Sequence, residues 1–382
     1  MRHIRSLIIL CAVLFIFTAC QKSPQSIPFT VSPNGRILVE AEINGTTGTY
    51  MFDTGSYFTI SRVPLDSLSS EGPITVNILG GQVTSAKYRL RELTVADRKI
   101  RTNAFVLASG EATDSMFERE SLDGILGLSV FEGYWLEVHY SDNTLRYGKR
   151  KPSGYASSIP AFNNGEGIQI DTLVDGLKTN MLIDTGSPAS ISLPDAIKYS
   201  VQADKKTDIL RFKQKDIALV KIDSFTVADT ELKDLYAMTD SPYTQVSLTG
   251  GKGVLGTSFL CGFDFAIDIT ESSTKSQTSV LFTHNSESGG PYFIQQEHID
   301  NIASGVFSMR PVDTGLLIDS LLAGSPFHTL GIMPGTIITH INGRKFMDNQ
   351  ALIHPMQVLS PDAGTTFTVT DGTTSRNIVY KF

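Results

Sequence analysis

Cysteine is scarce, with three in 382 residues. Cys11 and Cys20 fall near the start of the chain, so Cys261 stands alone in the body and no disulfide can form within it. Cys261 lies in an apolar stretch and reads as a small hydrophobe rather than a nucleophile. No Cys/His grouping has metal-ligand spacing, so no metal or other cofactor is called for. Neither Gly-x-Ser-x-Gly nor His-Glu-x-x-His occurs, which leaves serine-hydrolase and zinc-peptidase readings without an anchor. His139, His284, His298, His328, His340 and His354 are scattered and read mostly as surface or packing residues. Positive charge is not in excess: Lys and Arg number 32 against 39 Asp and Glu, a net charge of −7. With no basic stripe, this argues against nucleic acid as a partner. The short run Lys149-Arg150-Lys151 reads as solvated linker. The apolar run at residues 7–17 has 11 residues, against about 20 needed to span a bilayer as a helix.

That short run follows Arg2, His3 and Arg5, which is the layout of a signal peptide. It ends Phe17-Thr18-Ala19-Cys20, which resembles a bacterial lipobox, with Phe17 where Leu is usual. The resemblance implies lipidation at Cys20. The chain would then be anchored in a bacterial cell envelope and face the periplasm, after a signal at residues 1–20 and a tether at 21–28.

One stretch organises the rest. Asp53-Thr54-Gly55-Ser56 occurs again as Asp184-Thr185-Gly186-Ser187. At average residue usage a given four-residue match is expected on the order of once in 10⁵ positions. The match extends backward without a gap. Residues 37–45 and 168–176 both read as an alternating strand closed by an Asn-Gly or Asp-Gly hairpin turn. A second strand then runs into each Asp, through Tyr50-Met51-Phe52 or Met181-Leu182-Ile183. The pairs Asp53/Asp184 and Ile37/Ile168 share one offset of 131 residues. Ile125-Leu126-Gly127 is echoed by Val254-Leu255-Gly256 at nearly the same distance from its Asp. The chain therefore holds two copies of one β-rich unit of about 130 residues.

This duplicated pattern resembles the retropepsin-like and pepsin-like aspartic peptidases. Their mark is an apolar-apolar-Asp-Thr-Gly-Ser loop followed by an apolar-apolar-Gly strand. The resemblance covers residues 29–282. It implies a mainly β fold of two lobes about a pseudo-twofold axis, at residues 29–147 and 159–282, joined by a linker at 148–158. It implies that Asp53 and Asp184 share a proton and activate water for peptide-bond hydrolysis, with a protein or peptide in the cleft between the lobes. Gly55 and Gly186, lacking Cβ, let the two loops approach closely. In the family the Thr hydroxyl bonds across to the opposite loop, which carries to Thr54 and Thr185. The Ser supports the outer carboxylate oxygen, which carries to Ser56 and Ser187. A flap hairpin is expected with its tip at Gly80 and Gly81. No tyrosine stands at that tip, unlike in pepsins. Near residues 210–214 the second copy lacks a glycine tip.

Beyond a linker at 283–294, residues 295–382 resemble a bacterial PDZ domain, β-rich with two short helices. Gly324-Ser325-Pro326, Pro334-Gly335 and Asn342-Gly343 carry the likeness. The second helix is expected at residues 349–359. The domain implies a partner peptide or C-terminal tail, with residues 316–321 as the groove strand and Gly305 in the carboxylate-binding loop. Deletion from Gln295 onward is then expected to spare short-peptide cleavage. Two bland matches are set aside. Asp313-Thr314-Gly315 lacks the apolar lead-in and reads as a turn. Gly251 to Gly256 fits a dinucleotide fingerprint, which the internal repeat explains better. The alternative to an enzyme is a non-catalytic peptide-binding envelope lipoprotein acting through its PDZ domain.

Overall fold

The computed structural model describes residues 24–32, 35–65, 67–78, 81–110, 113–114, 117–118, 121–163, 167–194, 197, 206–211, 217–239, 252–271, 276–285, 306–345 and 365–380. The expected signal segment, Cys20, Gly80, Gly305 and the helix at 349–359 lie outside the described residues. The chain is mainly β, with a few single-turn helices.

In the first repeat the strand Ile37–Ile43 pairs with Thr46–Asp53 through a two-residue turn. Asn44 and Gly45 both take positive φ, 53° and 77°, the conformation an Asn-Gly hairpin turn requires. The second repeat builds the same hairpin from Ile168–Val174 and Leu177–Ile183, with Asp175 and Gly176 at 47° and 78°. Alternation then sorts the side chains. Tyr50 and Phe52 enter the large core, where Phe52 meets Phe131 edge-on at 5.9 Å. Met51 faces the other way, into a cluster with Ile60, Phe117 and Ile125. Each fully buried phenylalanine contributes about 2–3 kcal/mol to that core.

The strand that follows each loop returns beside its Asp. Gly124–Gly127 runs parallel to Thr46–Asp53 and sets Gly127 opposite Asp53. Gly253–Leu255 does the same beside Leu177–Ile183. The two repeats join through a run of six paired strands within one larger sheet. In order these are Gln25–Pro28, Thr144–Gly148, Tyr134–His139, Phe263–Ile269, Ser276–His284 and Ser157–Asn163. The centre pairs Tyr134–His139 of the first repeat with Phe263–Ile269 of the second.

This sheet corrects three expected boundaries. Residues 25–28 are not tether: Ile27 is fully buried and the strand finishes the sheet edge. The linker at 148–158 shrinks to 149–156, because Gly148 and Ser157 are paired. Thr283 and His284 continue the last strand of the second repeat rather than opening a linker.

His139 is also corrected. It is neither surface nor packing residue but sits between two carboxylates, Glu137 at 3.2 Å and Asp264 at 3.3 Å. Burial pulls its pKa down, but those carboxylates outweigh burial and raise it from 6.5 to about 9. Asp264 resists its own burial through His139, Ser141 and Asn285, and its pKa is lowered. A raised histidine contributes stability that is complete below its unfolded value and lost as pH rises through the folded one. We expect wild-type stability to fall between pH 6.5 and 9 by up to about 3 kcal/mol. His139→Gln should flatten that fall in pH-dependent denaturant unfolding. A parallel decline in both proteins would show that the cluster carries no net charge coupling.

The C-terminal residues form a separate small core of Leu316, Ile318, Leu321, Phe327, Ile332, Ile338, Phe367, Val369 and Ile378. The single-turn helix Pro326–Thr329 is capped by Ser325, whose hydroxyl accepts from the His328 N–H. Asp313 and Thr314 make the turn into Gly315–Leu322. That strand is not an open groove strand. Val306–Val312 covers one side, and residues 337–338 cover part of the other. Further along that second side, Ile209, Leu210 and Arg211 of the second repeat pair with Leu322, Leu321 and Ser320. Its burial is nearly continuous rather than alternating, the pattern of a strand covered on both faces.

Candidate active site

The two Asp-Thr-Gly-Ser loops meet face to face. The Thr54 hydroxyl accepts from the Thr185 N–H at 3.0 Å and donates to the Ile183 carbonyl at 2.8 Å. Thr185 reciprocates, accepting from the Thr54 N–H at 3.0 Å and donating to the Phe52 carbonyl at 2.9 Å. Both threonines are fully buried. A hydroxyl can donate once and accept at the same time, so two side chains satisfy four backbone groups where the strands end. Valine would fill the same space and satisfy none of them.

This grip brings Asp53 and Asp184 together, within hydrogen-bonding reach of each other. The Asp53 Oδ1 accepts from the Gly55 N–H at 2.8 Å. The Asp184 Oδ1 accepts from the N–H groups of Gly186 and Ser187, each at 2.9 Å. The glycines complete the closure crosswise. A Cβ on Gly55 would stand 2.4 Å from the Asp184 carboxyl carbon, and one on Gly186 would stand 2.4 Å from that of Asp53.

Burial raises the pKa of both aspartates. At Asp184 the nearby charge of Asp53 adds to burial. At Asp53 the hydrogen bond from Asp184, backbone N–H groups and the Arg36 guanidinium work against burial. Two carboxyls this close cannot both ionise cheaply, so one proton is shared and titration belongs to the pair.

The serines do not do what the resemblance implies. Ser56 donates its hydroxyl to the Phe58 carbonyl at 2.8 Å, and the Ser187 hydroxyl accepts from the Ala189 N–H at 3.3 Å. The chain turns sharply after each glycine, and a serine there satisfies the nearest backbone group. Ser187 reaches Asp184 through its backbone instead.

Ser70–Ile78 and Gly81–Arg89 form the hairpin expected as a flap, with Ile78 opposite Gly81. Its Ile74 and Val76 pack on the cluster that holds Met51, Ile60 and Ile125. Cys261 is buried, and burial pushes its thiol up to about 12, which fits a packing residue. Among the described residues no group of three or more His, Cys, Asp or Glu side chains is arranged to hold a metal ion. Arg36 was not visible as a site residue from composition or motif. It is 7% exposed, and its Nε donates to the Gly186 carbonyl at 2.9 Å.

Residues 39–130 match the family model described as aspartyl protease. The match runs from the strand before Asp53 through the returning strand beside it, so the chain carries an aspartyl protease-like domain. No curated protein matches the chain.

Proposed function

We propose that the chain is an aspartic endopeptidase of two lobes, with Asp53 and Asp184 as one catalytic pair. The observation that carries this reading is the reciprocal threonine grip, which joins two copies of one motif and brings two buried carboxyls together. Asp53, ionised, takes a proton from a bound water as that water attacks the scissile carbonyl. Asp184, protonated, donates a hydrogen bond to the carbonyl oxygen as negative charge develops there. The proton then passes to the leaving amine, and the pair returns to its starting state. The hairpin over residues 70–89 serves as the flap. Incubating residues 24–382 with a peptide library across pH tests the reading. Absence of any Asp53-dependent cleavage would leave the alternative, a non-catalytic peptide-binding protein.

We further propose that residues 306–380 are a PDZ-type unit and that the chain is a bacterial envelope lipoprotein. The separate core and the Ser325-capped turn support the first. The lipobox-like run ending at Cys20 supports the second. Cys20→Ala is expected to move the protein from the membrane fraction to the soluble one. Fatty-acid label retained by that variant would sink the lipid anchor.

The C-terminal unit does more than tether substrate in this reading. By the 131-residue offset, residues 206–211 are the second-repeat counterpart of residues 75–80 in the flap hairpin. They are the residues paired with Gly315–Leu322, and the Ala323 N–H also donates to the Asp208 carbonyl at 2.8 Å. Deleting residues 306–382 is therefore expected to lower the melting temperature and to slow cleavage of short peptides and whole proteins by similar factors. An unchanged melting temperature with only protein cleavage slowed would instead favour tethering.

A further inference from the structure

The chain enters the fold beside a basic run. Gln25–Pro28 finishes the sheet edge, with Gln25 opposite Tyr147. A Cβ on Gly148 would meet the Pro24 backbone at 3.8 Å. Gly148 is the last paired residue of its strand. Lys149, Arg150 and Lys151 therefore leave the sheet at the corner where Pro24 arrives.

All three cations are exposed, and two lie over aromatic rings at that strand end. The Lys149 Nζ stands 3.8 Å from the centre of the Tyr134 ring and donates to the Gly133 carbonyl at 2.7 Å. The Lys151 Nζ stands 5.9 Å from the centre of the Trp135 ring. Arg98 brings a fourth positive charge near Tyr147, whose ring meets that of Tyr134 edge-on at 5.3 Å. Two carboxyls share these strand ends, and each has a local partner. Glu132 accepts from the Tyr57 hydroxyl. Asp268, opposite Trp135, accepts from the Thr270 N–H and hydroxyl. Among the described residues Arg150 and Lys151 have no carboxylate partner. The whole chain carries −7, so a patch of this sign stands out from its surroundings.

We propose that Lys149, Arg150 and Lys151, with Arg98, form a face that lies on an anionic lipid surface. This rests on the lipid anchor at Cys20 proposed above. The occupant follows from the length of chain before the fold. From Cys20 to Pro24 is four residues, at most about 14 Å when fully extended. A lipid at Cys20 thus keeps the corner at Pro24 and Gly148 close to the headgroups. Lys and Arg are drawn to an anionic leaflet within about a Debye length, roughly 10 Å at 0.1 M salt. On the natural anchor the patch sets which side of the protein faces the bilayer. On a single acyl chain, which binds only marginally, a basic patch is a second signal and shows as affinity.

The test uses residues 20–382, which include every described residue, with one myristoyl-length chain coupled to the Cys20 thiol. The other cysteine, Cys261, is buried. Binding is measured to vesicles of phosphatidylcholine alone and with added phosphatidylglycerol. The acylated protein should prefer the anionic vesicles on the order of 10-fold or more at low salt, and the preference should fade as salt rises. Arg150→Gln with Lys151→Gln should lose most of it, while melting curves show the fold kept. Lys178→Gln with Lys233→Gln removes the same charge from exposed sites of the second repeat and should keep it. Equal binding to the two kinds of vesicle overturns the proposal. Equal loss in the two double variants overturns it as well, because net charge alone would then explain the preference. Fatty-acid labelling in cells judges the anchor separately. If Cys20 takes no label while the coupled protein selects anionic vesicles through Arg150 and Lys151, the anchor fails and the surface stands. If Cys20 is labelled and the vesicles are not distinguished, the surface fails and the anchor stands.

Discussion

Asp53→Asn is expected to lower kcat/KM for peptide cleavage on the order of 10³-fold or more, Asp184→Asn by a similar factor, and the double variant by little further. An amide at position 53 cannot take the proton of the attacking water. An amide at position 184 still carries N–H donors, but it is a far weaker acid than a carboxyl and stabilises the charge developing on the carbonyl oxygen less. Because both changes disable one proton-sharing unit, their effects do not multiply. The fold should survive, since the Asn oxygen can still accept from the Gly55 N–H at position 53 or from the Gly186 and Ser187 N–H groups at position 184. Stability should even respond in the other direction. The folded pKa of Asp184 is raised by burial and by Asp53, so the stability of its neutral form is complete below the ordinary value of 3.8 and lost as pH rises through the folded one. Asp184→Asn has no such loss, and its melting temperature should gain on that of the wild type as pH rises. Near-normal turnover by either single variant would show that the two carboxyls do not work as a pair.

What the sequence made legible were features with a local or repeating signal. The Asn44-Gly45 and Asp175-Gly176 turns declare their backbone conformation in two residues, and the alternation of Tyr50, Met51 and Phe52 declares two faces. The repeat at 131 residues aligned the two loops without any contact being known. Strand partners far apart were not legible. Gln25–Pro28 is polar and proline-bearing apart from Ile27, and nothing nearby shows that Thr144–Gly148 awaits it. The pairing of His139 with Asp264 spans 125 residues, and residues 320–322 meet 209–211 across another long interval. Neither period nor propensity encodes such choices, because they are decided by packing after the local elements exist.

Arg36 is a different case. A single charge ahead of an apolar strand ordinarily faces water, so its type alone signalled nothing. The signal lay in the alignment of the two repeats, where a cation stands opposite Gly167 although the flanking strands agree. The serines teach the converse. Ser56 and Ser187 agree in sequence, yet one hydroxyl donates to a carbonyl and the other accepts from an N–H. Identity of a motif fixes the backbone path more tightly than the partner of a side chain that has several within reach.

Gly55→Ala and Gly186→Ala are expected to leave the chain folded and to reduce cleavage by about 10²-fold or more, the cost of misplacing a reacting group by roughly 1 Å. The added methyl would lie 2.4 Å from a carboxyl carbon in either case, far inside van der Waals contact. Relief can come from the carboxyl swinging aside or from the loops separating. For Gly55→Ala the displaced group is Asp184, which would have to leave the Gly186 and Ser187 N–H donors. For Gly186→Ala it is Asp53, anchored at the Gly55 N–H. Separation of the loops would instead stretch the four threonine hydrogen bonds, at about 1 kcal/mol or more for each one lost. Both routes part the two carboxyls, so each variant should lose the coupling as well as the activity. The two aspartates should then titrate closer to independent carboxyls, and a shallow, widened pH profile should accompany the lower rate. Circular dichroism and melting curves separate this outcome from unfolding. Full activity in either alanine variant would mean that the loops have slack at the pair, and that the crosswise contact of each glycine with the opposite aspartate does not set the catalytic geometry.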